Sequence, residues 1–238
     1  MSRSAIAGCG LAVMAAVLML CGFAGVSTHM LPQETSFRIF LFGVALSFTA
    51  LSISLMGWRQ TRAARGRNLA LIGISVSLLL LIPMSNHIIM AFTVPPIHDI
   101  TTDTESPPLF VDILPLRANA PNTAEYRGAA LAEMQKAGYP DIAPLTLAMP
   151  PADAFVRVEN LVKARGWVIV ASVIDQGRIE ATAETKLMRF KDDIVIRVSE
   201  ADEGSKIDMR SVSRFGQSDL GVNAKRIREF LAELKAAN

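Results

Sequence analysis

Lys206 to Ala224, KIDMRSVSRFGQSDLGVNA, decides how this sequence folds. It opens with strand alternation: Ile207 and Met209 share one side, while Asp208, Arg210 and Arg214 point to the other. It closes as the start of a helix. Between the two, Arg210, Ser211, Ser213, Arg214, Gln217, Ser218, Asp219 and Asn223 crowd hydrogen-bonding chemistry into one corner with little room for apolar packing. A strand that turns straight into a helix here implies a sheet with a helix laid back across it.

The residues upstream agree. Trp167–Ile174, Arg178–Leu187 and Asp193–Ser199 read as three more strands, with Lys206–Arg214 the fourth. Asp175-Gln176-Gly177, a turn near Lys191-Asp192, and Asp202-Glu203-Gly204-Ser205 separate them with hairpin chemistry. Leu145–Met149 is a short strand. Pro151 opens a helix whose Phe155, Val158, Leu161 and Val162 share a face, ending at Gly166. Asn122 or Thr123 caps an earlier helix running to about Ala137, and the last helix starts near Leu220 with Ile227, Phe230, Leu231 and Leu234 on one stripe. The order β-α-β-β-β-β-α predicts an α+β domain, an antiparallel sheet with helices on one face. The opposite face carries Glu180, Glu184, Arg197, Asp208 and Arg210 and is expected to be solvated.

The first 94 residues are different. Ala5–Val26, Phe37–Gly57 and Leu69–Phe92 are apolar runs of about 20 residues or more, long enough to cross a bilayer as helices. The first run is too long for the core of a cleaved signal, and no cleavage site is well placed after it. Of the chain's 24 basic and 22 acidic residues, six arginines and only Glu34 precede Val94; the remaining 18 and 21 follow it. The basic excess therefore belongs to the membrane part, which argues against a nucleic-acid surface. Four arginines between Trp58 and Asn68 place that loop in the cytoplasm by the positive-inside rule. The N-terminus is then cytoplasmic. Residues 1–94 form a multi-pass anchor in the inner membrane, and residues 95–238 an extracytoplasmic domain, periplasmic in a Gram-negative cell. Pro83, Ser85, Asn86 and His87 mark a kinked outer end of the third span, at headgroup depth.

Pro95 to Asn122 holds six prolines and no sustained periodicity, as a linker or an ordered irregular loop does. Cys9 and Cys21 both lie in the first span, so the distal domain has no thiol and no disulfide framework. Its single histidine, His98, cannot build a zinc site, and no calcium-loop spacing accompanies its carboxylates. No metal or cofactor is expected. A hydrolase would have to use His98 as base, with Asp99 or Asp103 and with Ser211, Ser213 or Ser218, but no Gly-x-Ser-x-Gly elbow supports it. Arg210 and Arg214 offer forked donors to an anion. Alternatively they pair with Glu180, Glu184 or Asp208 across strands. Asp219 or Ser218 also suits a helix cap, with Asn223 bonding the loop. The candidate binding set is therefore Arg210, Ser211, Ser213, Arg214, Ser218, Asp219, Asn223, His98, Asp99 and Asp103. The function expected of it is non-catalytic: binding or envelope assembly, with an anionic small molecule, a lipid headgroup or an envelope protein as partner.

Several short motifs recur in order: PPIHDITTD, Pro108-Leu109-Phe110, Tyr139-Pro140-Asp141-Ile142-Ala143-Pro144, Gly166-Trp167, Ile179-Glu180-Ala181, Phe190-Lys191-Asp192-Asp193, and Asp208-Met209-Arg210-Ser211 through Asn223-Ala224. The series resembles a bacterial and plastid family known as domain of unknown function fourteen ninety-nine, from about Pro95 to the C-terminus. The resemblance implies extracytoplasmic or thylakoid-lumen placement and frequent membrane tethering. It assigns no catalytic residue. It also implies that PPIHDITTD belongs to the folded domain.

Overall fold

The computed structural model describes residues 2–28, 30–62 and 64–236. They divide into two compact units, one formed by residues 1–89 with 186–189, the other by the remainder.

In the first unit, α1 (Arg3–Ser27), α2 (Gln33–Gln60) and α3 (Ala64–Leu81) are each long and apolar enough to cross a membrane. Their packing follows from small residues at heptad-like spacing: Ala5, Gly8, Ala12 and Ala15 on α1, Gly43, Ser47, Ala50, Ser54 and Gly57 on α2, and Ala70, Gly73 and Ser77 on α3 are buried. A Cβ on Gly57 would lie 2.6 and 2.7 Å from the backbone N and Cα of Ala5. Backbones this close gain dispersion and leave large apolar side chains such as Val17, Leu20, Phe42 and Leu79 facing outward. The third apolar run is not one helix to Phe92, as its hydropathy suggests. Pro83 has no N–H to donate, so α3 stops at Leu81, tight turns carry residues 82–84, and α4 resumes over Ser85–Thr93.

In the second unit six strands form one antiparallel sheet among the described residues: β1 (Asp99–Thr101), β2 (Leu145–Leu147), β3 (Val168–Val173), β4 (Arg178–Glu184), β5 (Lys191–Ala201) and β6 (Gly204–Ser213). The spatial order is β1-β6-β5-β4-β3, and β2 pairs with the other end of β6. The fold class matches the expectation, with differences in detail. Asp99–Thr101, inside PPIHDITTD, is a strand paired to Arg210–Val212. Lys191 and Asp192 lie within β5; the hairpin closes instead through reciprocal bonds between Thr185 and Phe190. The helix expected from Asn122 starts later, as α5 (Ala129–Gly138), because the Asn122 amide donates to Ser213 O and Gly216 O.

α5, α6 (Pro151–Ala164) and α7 (Val222–Ala236) cover one sheet face. The apolar alternation of β4, β5 and β6 supplies their floor: Ile179, Ala181, Ile194, Ile196, Ile207 and Met209, all fully buried. Phe230 of α7 stacks on Trp167 at 5.3 Å between centroids, an aromatic pair of about 1 kcal/mol beyond its burial. The opposite face is solvated only at its margins: Glu180, Asp208 and Arg210 are fully buried, while Glu184 is exposed and Arg197 partly so. The proline-rich segment 102–128 lies across it and seals a second small core of Phe110, Ile113, Val195 and Val212.

Candidate functional site

On the sheet face under the proline-rich segment, strand parity sends Asp208, Arg210 and Val212 inward, and Arg214 continues the row. Arg210 is fully buried. Its Nε and Nη2 donate to the two carboxylate oxygens of Asp99 at 2.9 and 2.7 Å. The remaining donors reach Ala124 O at 2.8 Å and Pro108 O at 3.3 Å. The rings of Phe110 and Tyr126 lie against the guanidinium at 5.2 and 5.3 Å. Burial beside the Asp99 charge pushes the Tyr126 hydroxyl up to about 12. Arg214 forks onto Asp193, both bonds 2.8 Å, and donates to Leu116 O. Arg117 lies on the same carboxylate at 3.1 Å and donates to the carbonyls of Asn122 and Thr123. Glu180, buried on β4, accepts the backbone N–H groups of Val111 and Ile113 at 2.8 Å each and holds Arg178.

The Arg210–Asp99 and Arg214–Asp193 pairs lie within the sheet or at its end. The same groups reach the segment at 102–124: Arg210 bonds Pro108 O and Ala124 O, Arg214 bonds Leu116 O, Asp193 meets Arg117, and Glu180 accepts from Val111 N and Ile113 N. A chain with no periodic apolar pattern cannot dock by side-chain burial alone. Its backbone carbonyls and N–H groups dock instead, onto charged side chains projecting from the sheet. The cross-strand ladder expected for Arg210, with Glu180, Glu184 or Asp208, is not formed. Asp208 instead binds Arg197 and Lys206.

The helix-facing side of the corner holds Ser211, Ser213, Asn223, Ser218, Asp219 and the His98 carbonyl. Ser211 Oγ donates to Asn223 Oδ1 at 2.7 Å and accepts from Arg226 at 2.9 Å. Asn223 Nδ2 donates to Ser213 Oγ at 2.9 Å and to His98 O at 3.0 Å. Arg226 completes the set with a buried ion pair to Asp192 at 2.6 Å. Asp219 caps α7, accepting from Gly221 N at 2.8 Å and Asn223 N at 2.7 Å; Ser218 Oγ accepts from Leu220 N. Leu220 is held at φ 55°, a left-handed conformation that costs a leucine about 1 kcal/mol or more, and these three bonds over-determine it. Burial raises the Asp219 carboxyl to about 6 despite the two backbone donors, which pull the other way.

His98 is buried, with Nδ1 at 3.1 Å from Gln217 O; burial lowers its pKa and the carbonyl partly offsets this. Neither Ser211 nor Ser213 turns to it, and both oxygens of Asp99 belong to Arg210. Asp103 lies apart, in a turn with Glu105 and Ser106 and beside Lys206 at 3.2 Å. The sequence-derived set thus splits between the two sheet faces, with Asp103 at a third place. Sequence reasoning missed Asp192, Asp193, Arg117 and Arg226 as partners, and it paired Glu180 with the β6 arginines where the structure gives it Val111 N, Ile113 N and Arg178; the Asp192-Asp193 pair within a strand was the available signal. Among the described residues no group of three or more His, Cys, Asp or Glu is placed to hold a metal ion.

The two clusters span β1, β6 and α7, and residues 99–234 match the model of the family described as Protein of unknown function (DUF1499). The chain belongs to this family. The matched region covers more than half of the 238 residues and includes the clamped segment, the whole sheet and α7 up to Leu234. The three apolar helices lie outside it. No curated protein matches the chain.

Proposed function

We propose that this DUF1499 protein is a membrane-anchored, non-catalytic interaction module of the cell envelope, displaying its sheet domain on the periplasmic side of the inner membrane. The observation that carries this reading is the saturation of Arg210 and Arg214 by Asp99 and Asp193. A guanidinium whose fork is filled by an in-chain carboxylate has no geometry left for a ligand anion. The charges serve instead to fix segment 102–124 through its backbone, and that fixed segment turns Leu109, Val111, Leu114 and Leu116 outward, 70, 51, 44 and 59 % exposed. A rigid backbone presenting apolar side chains suits a protein partner better than an anionic small molecule or headgroup. The hydrolase alternative loses support from the same bonds, because the candidate serines and Asp99 are engaged away from His98.

Orientation rests on Arg59, Arg62, Arg65 and Arg67 at the α2–α3 connection, a basic cluster that stays cytoplasmic. Trp58 beneath Arg67, 5.6 Å from its ring centre, suits an interfacial position.

The test is photo-crosslinking from position 109 in native membranes, read by mass spectrometry, with and without His98→Ala. Discrete protein adducts of equal yield in both backgrounds are expected. Adducts to lipid alone, or loss of adducts in a folded and abundant His98→Ala variant, would overturn the reading.

A further inference from the structure

Lys186–Arg189, the tip of the β4–β5 hairpin, belongs to the same compact unit as the membrane-length helices. Within that unit the side-chain amide of Gln33, the first residue of α2, donates to Met188 O at 2.8 Å. Thr185 N donates to Phe190 O and Phe190 N to Thr185 Oγ1, both at 2.9 Å, which closes the loop at its base. Phe190 stacks on Phe215 at 5.7 Å between centroids. Arg189 takes a left-handed φ of 51° and returns the chain to β5.

The bond to Gln33 fixes the depth of the tip. Gln33 precedes Phe37, where the apolar run begins, by one helical turn, about 6 Å at 1.5 Å per residue. When α2 crosses a bilayer, its first turn therefore stands above the hydrocarbon edge, among the headgroups. The side chains at that level are those of an interfacial segment. Leu187 is 46 % exposed, and Met30 and Leu31, just ahead of α2, are 81 and 38 % exposed. Lys186 is exposed, Arg189 is half-buried, and Lys186–Arg189 holds no carboxylate. Of the acidic residues nearby in sequence, Glu184 stands opposite Lys191 across the hairpin and Glu34 pairs with Arg38. Exposed apolar side chains beside basic ones are unfavourable in water. They suit a headgroup boundary, where the apolar parts enter the acyl edge and the cations meet phosphate.

We propose that the hairpin tip is a lipid contact: Leu187 enters the boundary between headgroups and acyl chains, and Lys186 and Arg189 take the phosphates of phospholipid headgroups. Depth and charge choose this occupant together. Phospholipids carry an anionic phosphate at the level where Gln33 holds the tip. A loop already tethered to a spanning helix meets those phosphates at a high effective concentration, so two basic side chains suffice where a free loop would need a larger patch. Anionic phospholipid strengthens the contact through its surface potential. The inference requires only that α2 spans the membrane, and it holds for either orientation of the chain. It goes beyond the interaction-module reading, since no residue of segment 102–124 takes part.

The experiment uses the full chain in vesicles of phosphatidylcholine and phosphatidylglycerol. Cys9 and Cys21 are replaced by Ala, and Leu187→Cys carries an environment-sensitive fluorophore. Val17→Cys, 51 % exposed along α1, carries the same label as the depth reference. A nitroxide on the lipid headgroup is expected to quench the label at 187 about threefold more than a nitroxide deep in the acyl chain, with the reverse order at 17. Adding Lys186→Glu should cut the headgroup quenching about twofold, because a carboxylate repels phosphate. Raised salt should lower it in the unsubstituted tip, which tests the charge without touching the fold. A label at 187 quenched by aqueous iodide and by neither nitroxide would overturn the proposal by placing the tip in water. One that neither iodide nor nitroxide reaches would overturn it by showing protein over the tip. Headgroup quenching that neither Lys186→Glu nor salt reduces would overturn the phosphate contact. The crosslinks from position 109 report separately on the interaction-module reading.

Discussion

At the level of single side chains, the corner is a demonstration of how burial changes what arginine is for. Parity alone places Arg210 away from the helices, and that is correct; the segment above it turns that position from surface to interior. Arg210→Gln should destabilise the domain by about 3–5 kcal/mol, the usual cost of leaving a buried partner charge unpaired. Arg210→Lys should not rescue, since a point charge cannot fill both Asp99 oxygens. Urea unfolding of the detergent-solubilised chain, followed by the fluorescence of Trp167, measures both; a loss under about 1 kcal/mol would mean the pair is not buried. Asp219 gives a pH signature. Its carboxyl sits at about 6 in the folded chain against 3.8 when exposed, so the folded state holds the extra proton between those values. Its contribution to stability is present at low pH and lost as pH rises through about 6. Asp219→Asn keeps an acceptor for the cap but cannot titrate. Wild-type stability relative to this variant should therefore fall between pH 4 and 7, and a flat difference would contradict the buried carboxyl.

Elements show the same logic with backbones in place of charges. α1 meets α2 where glycine permits it. Gly57→Leu should separate the helices and lower the thermal unfolding temperature of the solubilised protein, because its side chain would enter the Ala5 backbone. Gly10→Leu should leave that temperature unchanged, since nothing lies within 4 Å of a Cβ there. On the sheet, Glu180 is the point where segment 110–113 is tied down. Glu180→Gln removes one backbone acceptor and the charge under Arg178, and should cost about 3 kcal/mol. Before global unfolding, trypsin should cut after Arg117 faster than in the wild type. Unchanged cleavage would mean that the apolar core of Phe110 and Ile113 holds the segment without the clamp.

For the whole molecule, orientation is the property on which function depends. A reporter active only in the periplasm should work when fused after Asn238 and fail when fused at Arg65. The reverse pattern would remove the proposed localisation and with it the envelope partner.

Periodicity reports local geometry, and local geometry was legible from residues alone. The apolar spans, the alternation of β4 to β6, the stripe of α7 and the Asp219 cap are all set within a few residues, so the α+β order and the three membrane-length helices follow from the chain. The pairing of Arg210 with Asp99, 111 residues away, was not legible, nor that of Arg226 with Asp192 or Glu180 with the 111–113 backbone. A proline-rich segment without a period carries no mark of the surface it will cover. Whether a charged strand face meets water or a covering loop depends on where that segment lands, and only the folded chain decides it. That one placement turns an apparent anion site into the interior of the domain.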